Sequence, residues 1–405
     1  MPFSNEMRAG SSGNQGFSYN GAATRSLRFN DGSASYLSRT PSSEGNRRTF
    51  TFSAWFKISG GIGNNGQKNL IRCQAGGGHA LRINQSEVFE DTNFHKLTNY
   101  LNEGDVLVVN DTKVIPSKII GYKVNIEREL TKISFTFFEN RENGQWKALA
   151  KPAKKINKND LIFFKNEDGK FYNLFAQIIN KSKGEVTFDF ASDNEKFINI
   201  LKEKGDVMLP PYITSKRALN DEDNNDYQTV FQNKEGSIAA PTAGLHFTDN
   251  LIEKIIQKGV RIEKLTLNIG LGTFLPLRDD NVKENTLHSE YCYLSSKTAK
   301  ILNKAKKSEN NRIICVGTTA LRTLETSFQN GEFKAINMKT NKFIYPGIDI
   351  NSIDALITNF HLPKSSLFIL ICALMGTNKM LNAYNHAIKN KYRFYSYGDA
   401  CLLEK

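Results

Sequence analysis

At 405 residues, 39% hydrophobic and 23% charged, the chain is long enough for two or three domains with sizeable cores, and its composition excludes a largely disordered polypeptide. The longest apolar run, LFILICALM at 367–375, falls well short of a membrane span and reads as a buried helix; no basic flank with an apolar segment marks the N-terminus for secretion; and five scattered cysteines without C-x-x-C spacing fit neither a zinc ribbon nor a disulfide framework, so a reducing cytoplasm is expected. The net charge of +13 admits a nucleic-acid partner, but about half of the excess lies in the first fifth of the chain: residues 1–86 hold ten Lys/Arg, eight of them Arg, against three acids.

The same segment contains 13 of the 29 glycines, and from Glu87 onward lysine replaces arginine as the dominant base. This shift places a boundary at 86/87. Within residues 1–86 a Gly/Ser/Asn-rich lead precedes two alternating stretches, 26–40 and 48–60, with Phe50 and Phe52 on one face. They resemble the opening strands of a laminin-G-like or concanavalin-type sandwich of phage tail proteins, too few to complete one; a private extension without fixed structure is the other reading. Either way, residues 1–86 are expected to be a foreign segment, dispensable for the fold of the remainder.

The rest reads as a mixed α/β domain, 87–122 and 205–405, carrying an all-β, barrel-like insert at 123–204. GDVLVVNDTKVIPSKIIG (104–121) predicts strand, turn, strand. The insert follows from short alternating stretches (ISFTFF, DLIFFK, YNLFAQII, EVTFDF) separated by turn residues. Its exposed-looking lysines Lys151, Lys154, Lys155 and Lys158 suit either a solvated face or a phosphate track. Pro210-Pro211 predicts an extended exit. TDNLIEKIIQKG (248–259) predicts an amphipathic helix capped by Thr248, IEKLTLNIGLGTFLPL a strand entering a Gly-rich turn, 296–307 a lysine-rich helix, RIICVG a buried strand, TTALRTLETSF a helix, DALITNF a strand, and 367–375 the apolar helix.

Two short motifs fail on their own terms. Gly270-Leu-Gly272 lacks the third glycine of a dinucleotide fingerprint and meets Pro276 where a helix should start, and His288-Ser-Glu290 lacks the P-C-x-x-C that would complete a deaminase zinc site. Gly317-Thr318-Thr319, between a buried strand and a helix, reads equally as a carboxylate or phosphate pocket or as an ordinary hydroxyl-capped helix start.

NDTKVIPSKIIG, DYQTVFQNKEGSIAAPTAGLHF, LNIGLGTFLPL with His288-Ser-Glu290, GTTALRTLET, FIYPG, TNFHLPKSSLFILICALMG and YRFYSYGDACLL, in this order, closely resemble the S-adenosylmethionine:tRNA ribosyltransferase-isomerase family of queuosine biosynthesis. The resemblance runs from about residue 87 to 403. It departs at Ala320, Lys113 and Lys118, and residues 1–86 show none of the family's usual N-terminal motifs. It implies an α+β enzyme with an inserted barrel that moves the ribosyl group of S-adenosylmethionine, a co-substrate, onto the aminomethyl group of a 7-deazaguanine at the tRNA wobble position. Adenine and methionine are lost. No cofactor, no metal and no membrane are implied, and a monomer is expected.

That chemistry needs a proton acceptor, an acid to assist adenine departure, and a site closed to water. The resemblance implies His246, His288, Glu290, His361 and Asp399 as catalytic candidates. For substrate binding it implies Pro241, Thr242, Gly244, Gly270, Gly272, Thr273, Gly317, Thr318, Thr319, Arg322, Asn359 and Arg393. From spacing alone each histidine reads as a hydrogen-bonded core residue rather than a catalytic one, and it is the resemblance that singles it out. The donor is expected between the PTAGLHF loop, the GLGTF turn and the helix start at Thr318, with Arg322 a candidate partner for its carboxylate. An RNA methyltransferase would share the cofactor but show a Gly-rich turn after an early strand, which is absent; a non-catalytic tRNA-binding relic is the other alternative.

Overall fold

The computed structural model describes residues 78–405 except 85–88, 125–129, 142–143, 183, 216, 218–219, 221, 271, 273–278 and 280, together with the backbone of Arg8–Ala9 and Leu37–Ser38. The chain divides into two compact units, Met1–Leu70 and Ile71–Lys405. In the first, the two short strands pair antiparallel. The sandwich-like stretches 26–40 and 48–60 otherwise lie outside the described residues.

The second unit is built on a nine-stranded sheet in the order Ile336–Thr340, Glu290–Leu294, Arg261–Leu267, Val106–Asn110, Ile313–Val316, Ala355–Asn359, Ala400–Glu404, His79–Ile83, Phe89–Asn93. The four strands from Arg261–Leu267 to Ala355–Asn359 are mutually parallel. Their near-continuous apolar sequences are what burial on both faces demands. Alternate residues divide between two cores: Val106, Val108, Ile313, Cys315 and Leu356 face the helices Ser296–Lys306, Thr318–Ser327, Ser366–Met375 and Thr377–Lys389, while Leu107, Val109, Ile314, Val316 and Ile357 face Phe94–Tyr100 and Asp249–Gln257. The apolar helix expected at 367–375 is Ser366–Met375, and a second helix, Thr377–Lys389, follows it directly. Gly376, at φ +91°, ends the first helix and starts the second, turning the chain by 114°. Among the described residues no single helix is long and apolar enough to cross a membrane.

Two boundaries differ from the sequence expectation. Residues 79–83, assigned to the foreign segment, form a strand that runs parallel to Ala400–Glu404 and antiparallel to Phe89–Asn93, with Leu81 and Ile83 fully buried. The compositional shift at 86/87 is therefore not the structural one; a glycine-rich approach (Gly76-Gly77-Gly78) masks the start of a five-residue strand. The closed six-stranded barrel begins at Lys118, not 123, because Lys118–Val124 pairs with both Leu130–Asn140 and Leu161–Lys165.

Nor is the insert purely β. Asn194–Lys204 is a helix that buries Phe197, Ile200 and Leu201 in the barrel's aromatic core, with Phe197 stacked on Phe190 at 3.9 Å between ring centroids. Its 3.6-residue apolar spacing was hidden behind the strand pattern that precedes it. After a bridge between Lys118 and Asp206, Pro211 opens a short helix, Pro211–Thr214, instead of an extended exit; proline's fixed φ suits a first helical position, whose N–H needs no partner.

Candidate active site

Asn110, Asn268, Gly317 and Asn359 each end or directly follow one of the four parallel strands. They therefore share one edge of the sheet. Val106–Asn110, the first of these four in sequence, has Arg261–Leu267 on one side and Ile313–Val316 on the other, so the chain reverses its winding there, and such a switch point opens a crevice at the carboxyl ends.

Asn110 locks this edge together. Its Nδ2 donates to the Leu267 carbonyl at 3.0 Å and to Thr319 Oγ1 at 3.3 Å, while its Oδ1 accepts from Leu267 N at 3.0 Å. Asp111, buried, accepts from Thr266 Oγ1 at 2.6 Å, and Thr112 Oγ1 donates to Asn268 Oδ1 at 2.9 Å. The motif NDT thus fixes the register of two strand ends. It was visible in the sequence, but nothing local distinguishes it from an ordinary turn.

The PTAGLHF stretch forms a tight helical turn, Thr242–His246. Gly244 lies where a Cβ would sit 2.9 Å from Thr229 Cγ2, and the methyl of Ala243 is 3.6 Å from the Cβ position of Gly317, so the loop packs directly on the helix start. Pro241 and Gly244 are buried. Thr242 Oγ1 donates to Asn359 Oδ1 at 3.0 Å, which turns Asn359 Nδ2 toward His246 Nε2 at 3.1 Å and the Tyr395 carbonyl at 3.3 Å. In this arrangement His246 Nε2 accepts and Nδ1 carries the proton.

His246 lies against Phe94, ring centroids 5.0 Å apart, and burial lowers its pKa to about 4, the Asp399 charge opposing that shift and Arg393 adding to it. Asp399, fully buried, accepts from Arg393 Nη2 at 2.8 Å, from the Arg393 backbone N at 2.7 Å and from His79 N at 3.2 Å. Gly78 fits between them: a Cβ there would stand 3.3 Å from Asp399 Oδ1 and 4.0 Å from His246 Nδ1. Sequence reasoning missed Gly78, Asn110 and Tyr395. Tyr395, at φ +76°, presents its carbonyl to Asn359.

The structure thus joins Thr242, His246, Asn359, Asp399 and Arg393. The rest fall into other groups. Glu290 and Arg322 form a buried ion pair, and Glu290 Oε1 accepts from Gly270 N at 2.8 Å while Arg322 Nε donates to the Lys342 carbonyl at 3.1 Å. Arg322, expected to meet the donor's carboxylate, is instead paired with Glu290; among the described residues its Nη2 has no hydrogen-bond partner. His288 is exposed and packs against Gly272, whose Cβ position is 3.1 Å from His288 Cβ. His361 bonds Thr358 Oγ1 at 2.8 Å and its backbone N donates to Tyr384 Oη at 2.7 Å; burial alone lowers its pKa to about 3. This is the setting of a packed histidine. Thr273 lies outside the described residues.

Thr318 and Thr319 begin the helix Thr318–Ser327, which no side chain caps and which Gly317 enters at φ +88°. Its first N–H groups are open at the same sheet edge, and its dipole favours an anion there. Among the described residues no cluster of His, Cys, Asp and Glu could hold a metal.

Residues 79–403 match the Queuosine biosynthesis protein family. A relative from Methylocella silvestris named S-adenosylmethionine:tRNA ribosyltransferase-isomerase is 42% identical over 316 residues, 78% of this chain and 86% of the relative. One of the same name from Bradyrhizobium diazoefficiens is 44% identical over 328 residues, 80% of this chain and 89% of the relative. A crystal structure titled as an S-adenosylmethionine tRNA ribosyltransferase from Thermotoga maritima is 30% identical, covers 81% of this chain and 93% of its own, and superposes with a TM-score of 0.44.

Proposed function

The chain belongs to the Queuosine biosynthesis protein family, and from that premise we propose that it is an S-adenosylmethionine:tRNA ribosyltransferase-isomerase, transferring and isomerising the ribosyl group of S-adenosylmethionine onto the aminomethyl group of a 7-deazaguanine at the tRNA wobble position. The observation that carries the reading at the level of residues is the convergence of Asn110, the Thr242–His246 turn, Asn359 and the uncapped start of Thr318–Ser327 at the carboxyl ends of parallel strands. A cationic sulfonium with a carboxylate tail fits there: the methionine carboxylate on the N–H groups of Thr318 and Thr319, the adenosine against the small residues Ala243, Gly244 and Gly270.

His246 is the proton acceptor in this reading. With a pKa near 4 it is neutral at physiological pH and can take a proton but not supply one; Asp399 favours the imidazolium that forms, and Asn359 must release Nε2 when the donor binds. Glu290 and Arg322 act as positioning residues, setting Gly270 through the Glu290 carboxylate. His361 holds the loop after Asn359 by packing.

The test is product analysis with precursor-bearing tRNA. Release of free adenine and methionine is expected; S-adenosylhomocysteine would indicate methyl transfer, and no product from either route would indicate a relic that binds without turnover.

A further inference from the structure

The outer face of the barrel carries a row of residues that the barrel's own core does not use. Tyr122, Phe163 and Phe175 stand opposite one another across three adjacent strands, and Lys132 continues the row on a fourth. In the neighbouring row Lys165 faces Phe171. The rings touch, with Phe163 5.8 Å from Phe171 and 5.9 Å from Phe175, and Lys165 Nζ lies 4.8 Å from the centroids of both Tyr122 and Phe171. Alternation along each strand sends Ile162, Phe164, Leu174 and Ala176 inward, so the outward positions are free to be polar. Instead they hold large rings, with Phe175 56% and Phe171 44% exposed.

Exposed rings interleaved with lysines are the chemistry that binds unpaired nucleobases: each base has a face to stack, and each phosphate beside it a cation. Lys132 is exposed, and among the described residues no carboxylate stands in the row; Asp160, just before Leu161–Lys165, is already paired with Lys123 at 2.8 Å. A second copy of this chain pairing the same face symmetrically would set one lysine-bearing face against another, which charge disfavours. We propose that this face is a docking platform for single-stranded RNA, taking the unpaired loop nucleotides of tRNA by stacking on Phe171, Phe175 and Phe163, with Lys165 and Lys132 on the flanking phosphates. The inference rests on the function proposed above, since it takes tRNA as the partner. It places contact on the ring-bearing face and not at Lys151, which ends the strand Gln145–Lys151, nor at Lys154, Lys155 and Lys158 on the connection from it to Leu161–Lys165.

The experiment compares the full-length chain with Phe171→Ser/Phe175→Ser and with Lys165→Gln, by fluorescence anisotropy of labelled precursor tRNA and of a blunt RNA duplex over a range of salt. The ring variant is expected to bind tRNA about tenfold or more weakly with its salt slope unchanged, since each stacked base is lost as a unit. Lys165→Gln is expected to flatten the slope by about 0.7, one phosphate contact on a single strand. Neither should alter duplex binding, S-adenosylmethionine binding or the thermal midpoint. A ring variant that binds tRNA as the wild type does overturns the platform, as does a wild-type dimer that the ring variant dissolves, which would assign the face to a second copy. Adenine release by the wild type separates the two failures: with turnover intact and tRNA binding by the variants unchanged, only the platform falls; without turnover or tRNA binding by the wild type, the functional reading falls and the platform with it.

Discussion

Two truncations nine residues apart should behave as different proteins. A chain beginning at Gly78 keeps the strand His79–Ile83, and one beginning at Glu87 loses it. The strand lies between Ala400–Glu404 and Phe89–Asn93, so its removal leaves both without a partner on that side. Leu81 and Ile83 are fully buried among the residues that pack on the helices Ser366–Met375 and Thr377–Lys389. Deleting a buried Leu or Ile side chain costs about 2–5 kcal/mol, so the two together cost roughly 4–10 kcal/mol. The loss also breaks the backbone bond from Phe94 N to the Gly78 carbonyl at 3.0 Å, the His79 N bond to Asp399, and the Arg82 ion pairs to Glu90 and Glu404. A total near the whole stability of an ordinary domain follows. Urea unfolding followed by circular dichroism is the assay: the chain from Gly78 should unfold cooperatively with a midpoint close to that of full length, and the chain from Glu87 should be largely unfolded or aggregated without urea. Equal midpoints would refute the placement of this strand in the core.

Glu290→Ala and Arg322→Ala should each destabilise by about 3–5 kcal/mol, because each leaves a buried charge alone, and the double substitution should recover part of that loss; urea midpoints within about 1 kcal/mol of wild type would contradict a buried pair. Asn359→Ala strips His246 Nε2 and Thr242 of their partner and should cost about 1–3 kcal/mol in the same assay while suppressing adenine release; unimpaired turnover would show that Asn359 does not hold the Thr242–His246 turn in its working geometry. The two buried histidines set a pH dependence. Their folded pKa values, about 4 for His246 and about 3 for His361, lie below the ordinary 6.5, so the unfolded chain takes up protons first as pH falls. Their contribution is fully present above about pH 6.5 and is lost toward acid, with a limiting slope of roughly 1.4 kcal/mol per pH unit for each histidine. His361→Gln should halve that slope between pH 6 and 5, and an unchanged slope would show that His361 is not buried neutral.

The sequence by itself determined the family and most of the elements around the site. Short apolar runs gave Val106–Asn110, Ile313–Val316 and Ala355–Asn359 as strands, and Thr248 and its following 3.6-residue period gave Asp249–Gln257 with its cap, Leu251 N bonding Thr248 Oγ1. These are properties of neighbours along the chain, and short-range sterics and burial of one face are enough to set them. Ordered motifs likewise named the residues worth examining. Tertiary structure alone decided which of them meet. Asn110 reaches Thr319 across 209 residues, His246 reaches Asn359 across 113, and His79 reaches Asp399 across 320. Arg322 had the right motif for a ligand to an anion, yet a carboxylate 32 positions earlier is opposite it when the sheet forms. The strand His79–Ile83 shows the same limit: five residues after a glycine run carry little pattern of their own, and what makes them a strand is a partner at the other end of the chain whose hydrogen-bonding edge is filled only when the sheet closes over it.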